Sequence, residues 1–261
     1  MIIRRATLAD LEAMTWVLIG ASPLDPVYPY RFPDRHLYPG EFAALCRRKC
    51  AEYLETSTVI VCEMPIDEFG YATQVVAFSA WDMPAPDARR PIRSGAVSGA
   101  VEPTSLSSTP LPPTTIGSLN RQHAFRAACA SNKSRLFDSR YRSTGGHVFL
   151  KILLCHPTYQ QRGAGTALTS WGIAEARRLG VPTTVFASPM GLRLYRKLGF
   201  REIGRFRVQL EGEGEFLEIP ALVMPAGINS AVGMTSWRRR ARVAGECGSV
   251  GGGFDAPAVC A

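Results

Sequence analysis

The spacing of apolar side chains predicts a strand, a helix, a loop and a second helix in the first part of the chain. Met1 to Arg5 has the length and composition of a short strand. Behind it, apolar residues recur every three or four positions, which is typical of the buried face of a helix: Leu8, Leu11, Met14, Val17 and Leu18. Thr7 and Asp10 have the spacing of a capping box at the start of that helix. The proline-rich stretch Ser22 to Pro39 predicts a loop, and Glu41 to Leu54 predicts the second helix.

Further apolar runs predict four strands and a long helix in the rest of the chain. Thr58 to Cys62 and Gln74 to Trp81 are rich in β-branched and aromatic residues, and their spacing favours an antiparallel pair. The stretch His147 to Cys155 is almost continuously apolar, which is typical of a central strand. Thr166 to Leu179 then predicts a helix, and Pro182 to Ala187 predicts the fourth strand.

Two stretches have compositions that do not favour a packed core. Residues 84–118 are rich in Pro, Ser, Thr, Gly and Ala, which predicts a disordered insertion, and residues 121–142 then predict a helix. Residues 225–261 contain Gly251 to Gly253 and the basic run Trp237 to Arg242, which predicts a disordered tail. We therefore expect one domain over residues 1–224.

The segment behind the central strand has the features of an anion-binding turn. Gly163 and Gly165 permit a tight turn and a close approach of the backbone to a ligand. The helix that follows would present its first amides and the positive end of its dipole to an anion. A Walker loop would need Gly-Lys-Ser/Thr, which this segment lacks, and a dinucleotide fingerprint would need a glycine where Leu168 stands.

Three segments resemble motifs of the GNAT superfamily of N-acetyltransferases. Gln160-x-x-Gly163-x-Gly165 is similar to the pyrophosphate-binding motif of that superfamily. Ser188 to Phe200, which ends in Tyr195-x-x-x-Gly-Phe, resembles its second CoA motif, and Ile3 to Asp10 resembles its first strand and helix. The motifs occur in the order found in the family, and the match covers residues 1–83 and 147–224.

The resemblance implies an α/β (α+β) fold, with a mixed, mostly antiparallel GNAT-type sheet flanked by helices. It implies acetyl-CoA as co-substrate, an amine as acceptor, direct attack of the amine on the acetyl group, and no metal. Arrangement and loop composition look like fungal members of undefined substrate, which slightly favours a small-molecule amine over a protein amine. The remaining alternative within the family is a CoA-binding protein without transferase activity.

The resemblance also assigns roles to individual residues. The central strand and the next strand splay apart, and the main chain of Leu153, Leu154 and Cys155 pairs with the pantetheine arm between them. The pyrophosphate is held by the turn and helix start formed by Gln160, Gln161, Arg162, Gly163, Ala164, Gly165 and Thr166. Tyr195 has the position of the general acid, which protonates the departing thiolate, and Ser188 stands where many members have Asn.

Several residues have structural alternatives. Tyr195 has the helical spacing of a core aromatic, but the motif around it favours the catalytic role. His147, His156 and Glu63 are candidate acid–base groups, although structural or solvated positions are more common for such residues. The aromatic residues of the loop are equally consistent with an acceptor pocket and with core packing: Tyr28, Tyr30 and Phe32.

Charge and cysteine usage narrow the choice of partners and compartment. Of the net charge of +8, residues 147–224 contribute +4, which suits a polyanionic ligand, whereas residues 1–100 carry −2. This distribution disfavours nucleic acid as a partner. If the protein did bind nucleic acid, the basic run Trp237 to Arg242 would be the arm that contacts it. Seven scattered cysteines without a CxxC pair favour a reducing compartment, with Cys46 and Cys50 buried on a helix. We expect a soluble, cytoplasmic protein, with the basic run as a candidate nuclear address.

Overall fold

The computed structural model describes residues 1–66, 72–84 and 117–227. Most of the predicted insertion and nearly all of the predicted tail lie outside these ranges. The strands are β1 Ile2–Arg5, β2 Thr58–Pro65, β3 Thr73–Asp82, β4 Val148–Cys155, β5 Thr183–Phe186, β6 Arg201–Gln209 and β7 Phe216–Met224. The helices are α1 Leu11–Ala21, α2 Val27–Arg31, α3 Pro39–Thr56, α4 Leu119–Lys133, α5 Ser139–Tyr141, α6 Ala164–Leu179 and α7 Pro189–Lys197.

The strands form one mixed sheet of seven strands in the order β1-β2-β3-β4-β5-β7-β6. Only the β4–β5 pair is parallel among these strands, and the other neighbours are antiparallel. The sheet therefore confirms the predicted mixed, mostly antiparallel α/β architecture. It also places β4 at its centre, as the continuous apolar run of that strand predicts.

Helices cover both faces of the sheet and enclose two large hydrophobic clusters, and two smaller clusters complete the core of the described residues. Helices α1 and α3 pack against each other, α1 also packs against β3 and α3 against β2, and together they bury Met14, Val17 and Cys50. Helix α6 packs on the opposite face against β3 and β4, and its apolar side buries Leu168. Within the described ranges, no helix is both long enough and apolar enough to span a bilayer.

The stretch Ser22–Pro39 is not simply the predicted loop. A 3-10 turn at Ser22–Leu24 leads into α2, and α3 begins at Pro39. Prolines are tolerated in the first turn of a helix because the amide they lack has no intrahelical acceptor there. The proline content that predicts a loop is therefore compatible with a short helix, and α2 brings both of its ends to the cavity described below.

Residues 121–142, for which the sequence predicts a helix, are largely helical in the structure. Helix α4 runs over Leu119–Lys133, a π-helical turn covers Ser134–Asp138, and α5 follows. On α3, Cys46 and Cys50 are buried as expected, and this burial raises the pKa of each thiol to about 12. Both thiols are therefore protonated at neutral pH and pack as small apolar side chains.

The close packing of α6 on the sheet depends on Gly172. An ideal Cβ at this position would lie 2.1 Å from a ring carbon of Trp81, which is fully buried. The indole cannot move aside easily, because its Nε1 donates a 2.8 Å hydrogen bond to the Ser79 hydroxyl. Only a residue without a side chain permits this distance between helix and sheet.

We expect Gly172→Ala to destabilise the protein, although alanine is intrinsically the better helix former by about 1 kcal/mol. Overpacking against Trp81 should cost more than this gain, for a net loss of about 1–3 kcal/mol in the free energy of unfolding. Gly40→Ala is the matched control, because Gly40 lies in α3 with nothing within 4 Å of its ideal Cβ. Denaturant unfolding of both variants checks this, and equal stabilities would contradict the packing argument.

Candidate active site

The parallel ladder between β4 and β5 stops halfway along β4. Residues Val148, Phe149 and Leu150 pair with Thr183, Thr184 and Val185, and the pairing goes no further. At this point β4 contains a β-bulge: Leu150 pairs with Trp81 and Ile152 with Ala80, so Lys151 is an extra residue. Because a bulge bends its strand and increases the local twist, the second half of β4 diverges from β5.

The bulge also changes which backbone groups of β4 face the gap. The amide of His156 donates to the Val76 carbonyl on β3, at 2.9 Å. Because successive residues of a strand point to opposite sides, the amide of Leu154 also faces β3, and those of Leu153 and Cys155 face the gap. Of the three predicted main-chain ligands, Leu153 and Cys155 therefore have the suitable direction.

The predicted anion-binding turn lies directly beyond the end of β4. Gln161 and Gly163 both have left-handed backbone conformations, with φ of +61° and +92°, and such conformations turn successive amides toward one side. Gly163 is the N-cap of α6, so no N-cap side chain satisfies the first helical amides, those of Ala164, Gly165 and Thr166. An ideal Cβ on Gly163 would have no protein atom within 4 Å.

Two of the polar side chains of the turn, those of Gln160 and Arg162, have different surroundings. The Gln160 side chain donates to the carbonyl of Cys155, at 3.2 Å, and so ties the turn to the end of β4. The exposed guanidinium of Arg162 lies 5.2 Å from the ring centroid of Tyr159. These contacts keep the turn beside the gap, as the motif requires.

A cavity of about 300 Å³ extends from the gap toward α2, α3 and α4. Its walls include the second half of β4 and the end of β5, together with Tyr28, Tyr53 and Phe125 from the helices. Three residues from different parts of the chain meet at it: Asp25 before α2, Ser188 before α7 and Tyr195 within α7. The sequence motifs identify Ser188 and Tyr195 but not Asp25.

Tyr195 is positioned by its own helix. Its ring lies so close to Gly191 that an ideal Cβ there would be 2.7 Å from a ring carbon and 3.4 Å from the phenol oxygen. The ring also packs at 5.6 Å from Phe200, and the residue is only 4% exposed. Ser188 caps the same helix by accepting a 3.4 Å hydrogen bond from the Gly191 amide. Tyr195 is thus both a packed aromatic residue and a wall of the cavity.

Asp25 is a buried carboxyl group that the sequence motifs do not reveal. It is 8% exposed and accepts a 3.0 Å hydrogen bond from the amide of Val27. Burial raises the pKa of Asp25, and the Val27 amide, the nearby Ser188 hydroxyl and the charge of Arg31 lower it in part. A carboxyl group with a raised pKa in a cavity is typical of groups that accept or donate protons.

The three acid–base candidates from the sequence lie elsewhere. Glu63 accepts a 2.7 Å hydrogen bond from Arg4 at the outer strands. His147 is held between the Thr184 hydroxyl at 2.6 Å and the Asp138 carboxylate at 2.8 Å. Neither residue lines the cavity that contains Tyr195.

His156 lies at the end of β4, and its ring is packed against α1. Its ring stacks on Trp16 at 3.6 Å between centroids, and an ideal Cβ on Gly20 would lie 2.5 Å from it. Burial lowers the pKa of His156, so the neutral form is favoured. The ring stabilises the contact between α1 and the end of β4.

The aromatic residues between α1 and α3 divide between the two predicted roles. Tyr28 lines the cavity. Tyr30 is buried against β6 and β7, and Phe32 is buried between α1 and α3. The expectation of an aromatic acceptor pocket thus applies to Tyr28, and core packing applies to the other two.

Comparison with known proteins gives a consistent family and fold. The model of the acetyltransferase (GNAT) family matches residues 127–200, which include β4, the turn, β5 and α7. A protein called "Acetyltransferase" from Stachybotrys chartarum is 26% identical over 213 residues, covering 81% of this chain and 85% of the relative.

Two solved structures share the fold. Mosquito arylalkylamine N-acetyltransferase like 5b has a TM-score of 0.58 at 17% identity, covering 86% of this chain and 99% of that chain. An agmatine N-acetyltransferase variant has a TM-score of 0.53 at 14% identity, covering 86% and 98%. The match to the GNAT family model over residues 127–200, the fungal relative and the common fold together support a GNAT-type acetyltransferase.

Proposed function

We propose that the protein transfers an acetyl group from acetyl-CoA to an amine, with a small molecule as acceptor. The observation that carries this proposal is the interrupted β4–β5 ladder. The interruption opens a gap between an anion-binding turn on one side and a cavity lined by Asp25, Ser188 and Tyr195 on the other. A ligand with a phosphate end and an acyl end can therefore reach both sites through the sheet.

The residues present suit CoA as a ligand. The amides of Gln161 to Thr166 would hold the pyrophosphate, because the turn leaves room for a ligand at Gly163 and points the helix dipole of α6 toward it. The backbone amides of Leu153 and Cys155 would pair with the pantetheine arm along the part of β4 that lies beyond its pairing with β5. Acetyl-CoA supplies the thioester whose acetyl group is transferred.

Asp25 and Tyr195 would perform the two proton transfers. Asp25 would accept a proton from the attacking amine, since burial has already raised the pKa of its carboxyl group toward that of a useful base. Tyr195 would donate its phenol proton to the departing thiolate, and phenols are protonated at neutral pH. Ser188 would orient the carboxyl group of Asp25 from the N-terminus of α7.

The shape of the cavity favours a small acceptor. Its volume of about 300 Å³ is at the lower end of the range for small-molecule sites. Helices α2, α3 and α4 enclose it, which would hinder the entry of a folded protein surface. Two proteins with the same fold are named for amine acetylation, with arylalkylamine in one name and agmatine in the other.

Gly163→Ala should weaken binding of acetyl-CoA by about tenfold or more, as measured by calorimetric titration. The added methyl group would enter the space where we place the pyrophosphate. Gly212→Ala is the matched control, because Gly212 has a similar φ of +80°, has equal open space and lies in the β6–β7 turn. Both variants incur a similar backbone strain of about 1–2 kcal/mol. Equal affinity of the two variants for acetyl-CoA would exclude the turn as the phosphate site.

Tyr195→Phe should lower kcat by about 100-fold and leave the affinity for acetyl-CoA within a factor of two. This result is expected because the phenol acts on the leaving group and the ring retains its packing on Phe200. Tyr141→Phe, which removes a phenol that does not line the cavity, serves as the control. A comparable loss of acetyl-CoA binding would show that Tyr195 acts through packing. Failure of the parent to release thiol with any amine would favour a CoA-binding protein without transferase activity.

Asp25→Asn should lower kcat/KM by about 100-fold without destabilising the protein. The pKa of Asp25 is raised in the folded state, so its ionisation there opposes folding as the pH rises through that pKa. Asparagine carries no charge and can still accept the hydrogen bond from the Val27 amide. Thermal unfolding should therefore show an Asn variant at least as stable as the parent at high pH. This advantage should disappear below pH ~3, where the carboxyl group is largely protonated in both the folded and the unfolded state. A less stable variant at high pH would indicate a structural role.

A further inference from the structure

Arg31 is a half-buried arginine at the C-terminal end of α2 that lines the proposed acceptor cavity. Its guanidinium carbon lies 4.9 Å from the ring centroid of Phe32 and 4.6 Å from that of Phe125. Its Nε is buried without a hydrogen-bond partner, and burial lowers the pKa of the guanidinium. Among the described residues, no carboxylate forms an ion pair with it.

Arg121 is an arginine with a structural role in the same fold, and its partners differ from those of Arg31. Its guanidinium also stacks on an aromatic ring, at 4.7 Å from the centroid of Tyr30. In contrast to Arg31, it forms ion pairs of 2.7 Å with both Glu213 and Glu215. A buried charge without a partner is costly, so the difference indicates that Arg31 acquires its partner from outside the described residues.

The other cationic side chains of the cavity are already neutralised. Lys49 forms a 2.7 Å ion pair with Glu52, and Lys151 forms a 3.1 Å ion pair with Asp82. Among the described residues that line this cavity, Asp25 and Arg31 are the charged side chains without an ion pair. A complementary ligand would carry one positive and one negative group.

Building on the proposed function, we propose that the acceptor is an amine that also carries a carboxylate, bound with its amine at Asp25 and its carboxylate at Arg31. Arginine suits this role because its planar guanidinium can donate two parallel hydrogen bonds to a carboxylate. The contacts of the Arg31 guanidinium with the rings of Phe32 and Phe125 restrict its position before the ligand arrives.

The geometry of α2 sets the range of acceptors. Asp25 lies two residues before this helix and Arg31 is its last residue, so the four steps from Val27 to Arg31, at 1.5 Å each, alone separate the two sites by about 6 Å along the helix axis. The two side chains can shorten this distance, so amino acids with different spacings between amine and carboxylate are candidates. Phe125, Ile152 and Ile219 line the cavity as well, which favours an apolar connection between the two groups.

The test compares three amino acids with the amines that lack only the carboxylate. The pairs are phenylalanine and 2-phenylethylamine, 4-aminobutyrate and propylamine, and 4-(aminomethyl)benzoate and benzylamine. Calorimetry measures the binding of each compound to the CoA-saturated protein, and thiol release from acetyl-CoA measures kcat/KM. In at least one pair the acid should bind tenfold tighter and react with a tenfold higher kcat/KM, as a charge-assisted hydrogen bond predicts.

Arg31→Met should reduce the acid-to-amine ratio of that pair at least tenfold. Arg126→Met is the control, because it removes an exposed positive charge next to Arg31 that does not line this cavity. The ratio in this control should remain that of the parent. The acid-to-amine ratio does not change when a variant loses activity with both compounds equally. The preference of the parent protein for the acid can also be measured without any variant.

Two results would overturn the inference: no acid preferred over its amine in the parent, or a preference that survives Arg31→Met. Thiol release with the amines but no preference for any acid would leave acetyl transfer intact and refute only the role of Arg31. A carboxylate preference in binding without any thiol release would support the role of Arg31 and contradict the proposed activity.

Discussion

The site depends on the interruption of the sheet at Lys151. In a parallel pair, every backbone amide between two strands normally has an acceptor, and an unpaired buried amide is costly. The extra residue in β4 ends the pairing with β5 after Leu150 and leaves an edge in the middle of the sheet. This edge borders the gap and presents backbone groups to it, which suits a ligand with amide-like groups.

The elements around this gap provide complementary groups at both ends. On one side, Gln161 and Gly163 adopt left-handed conformations that turn amides toward the place where we propose the phosphate binds. On the other side, α2 carries a buried carboxyl group before its start and a buried guanidinium at its end. Both charges lack ion-pair partners in the described part of the chain, and this arrangement opposes folding. Active sites commonly retain such unfavourable arrangements because function requires them.

The sequence predicted the parts of this arrangement that rest on local patterns. Strand β4, the glycine turn, helix α6 and the position of Tyr195 all follow from periodicity or from motifs with fixed spacing. Helix α2 was missed because five prolines outweighed its short helical pattern, although proline is compatible with a first helical turn. The bulge at Lys151 depends on the register with β3, which no local pattern encodes.

The roles proposed for Asp25 and Arg31 could not be predicted from the sequence for a similar reason. Each is a single charged residue in a loop-like sequence, where a solvated position is the usual expectation. Their importance comes from burial by α4, β4 and β5, which are distant in the sequence. The reverse holds for Glu63, His147 and His156. Their residue types suit acid–base catalysis, but their side chains are held in ion pairs, hydrogen bonds or stacking contacts away from the cavity.

Hydrogen exchange with and without acetyl-CoA tests most directly whether the interrupted ladder is the cofactor site. The account predicts that acetyl-CoA slows exchange of the amides of Leu153, Cys155 and residues 161–166. The β6–β7 turn around Gly212 should be unaffected and serves as an internal reference. Unchanged exchange at both the edge of β4 and the turn, under conditions where acetyl-CoA binds, would show that the cofactor occupies another site and would contradict the account.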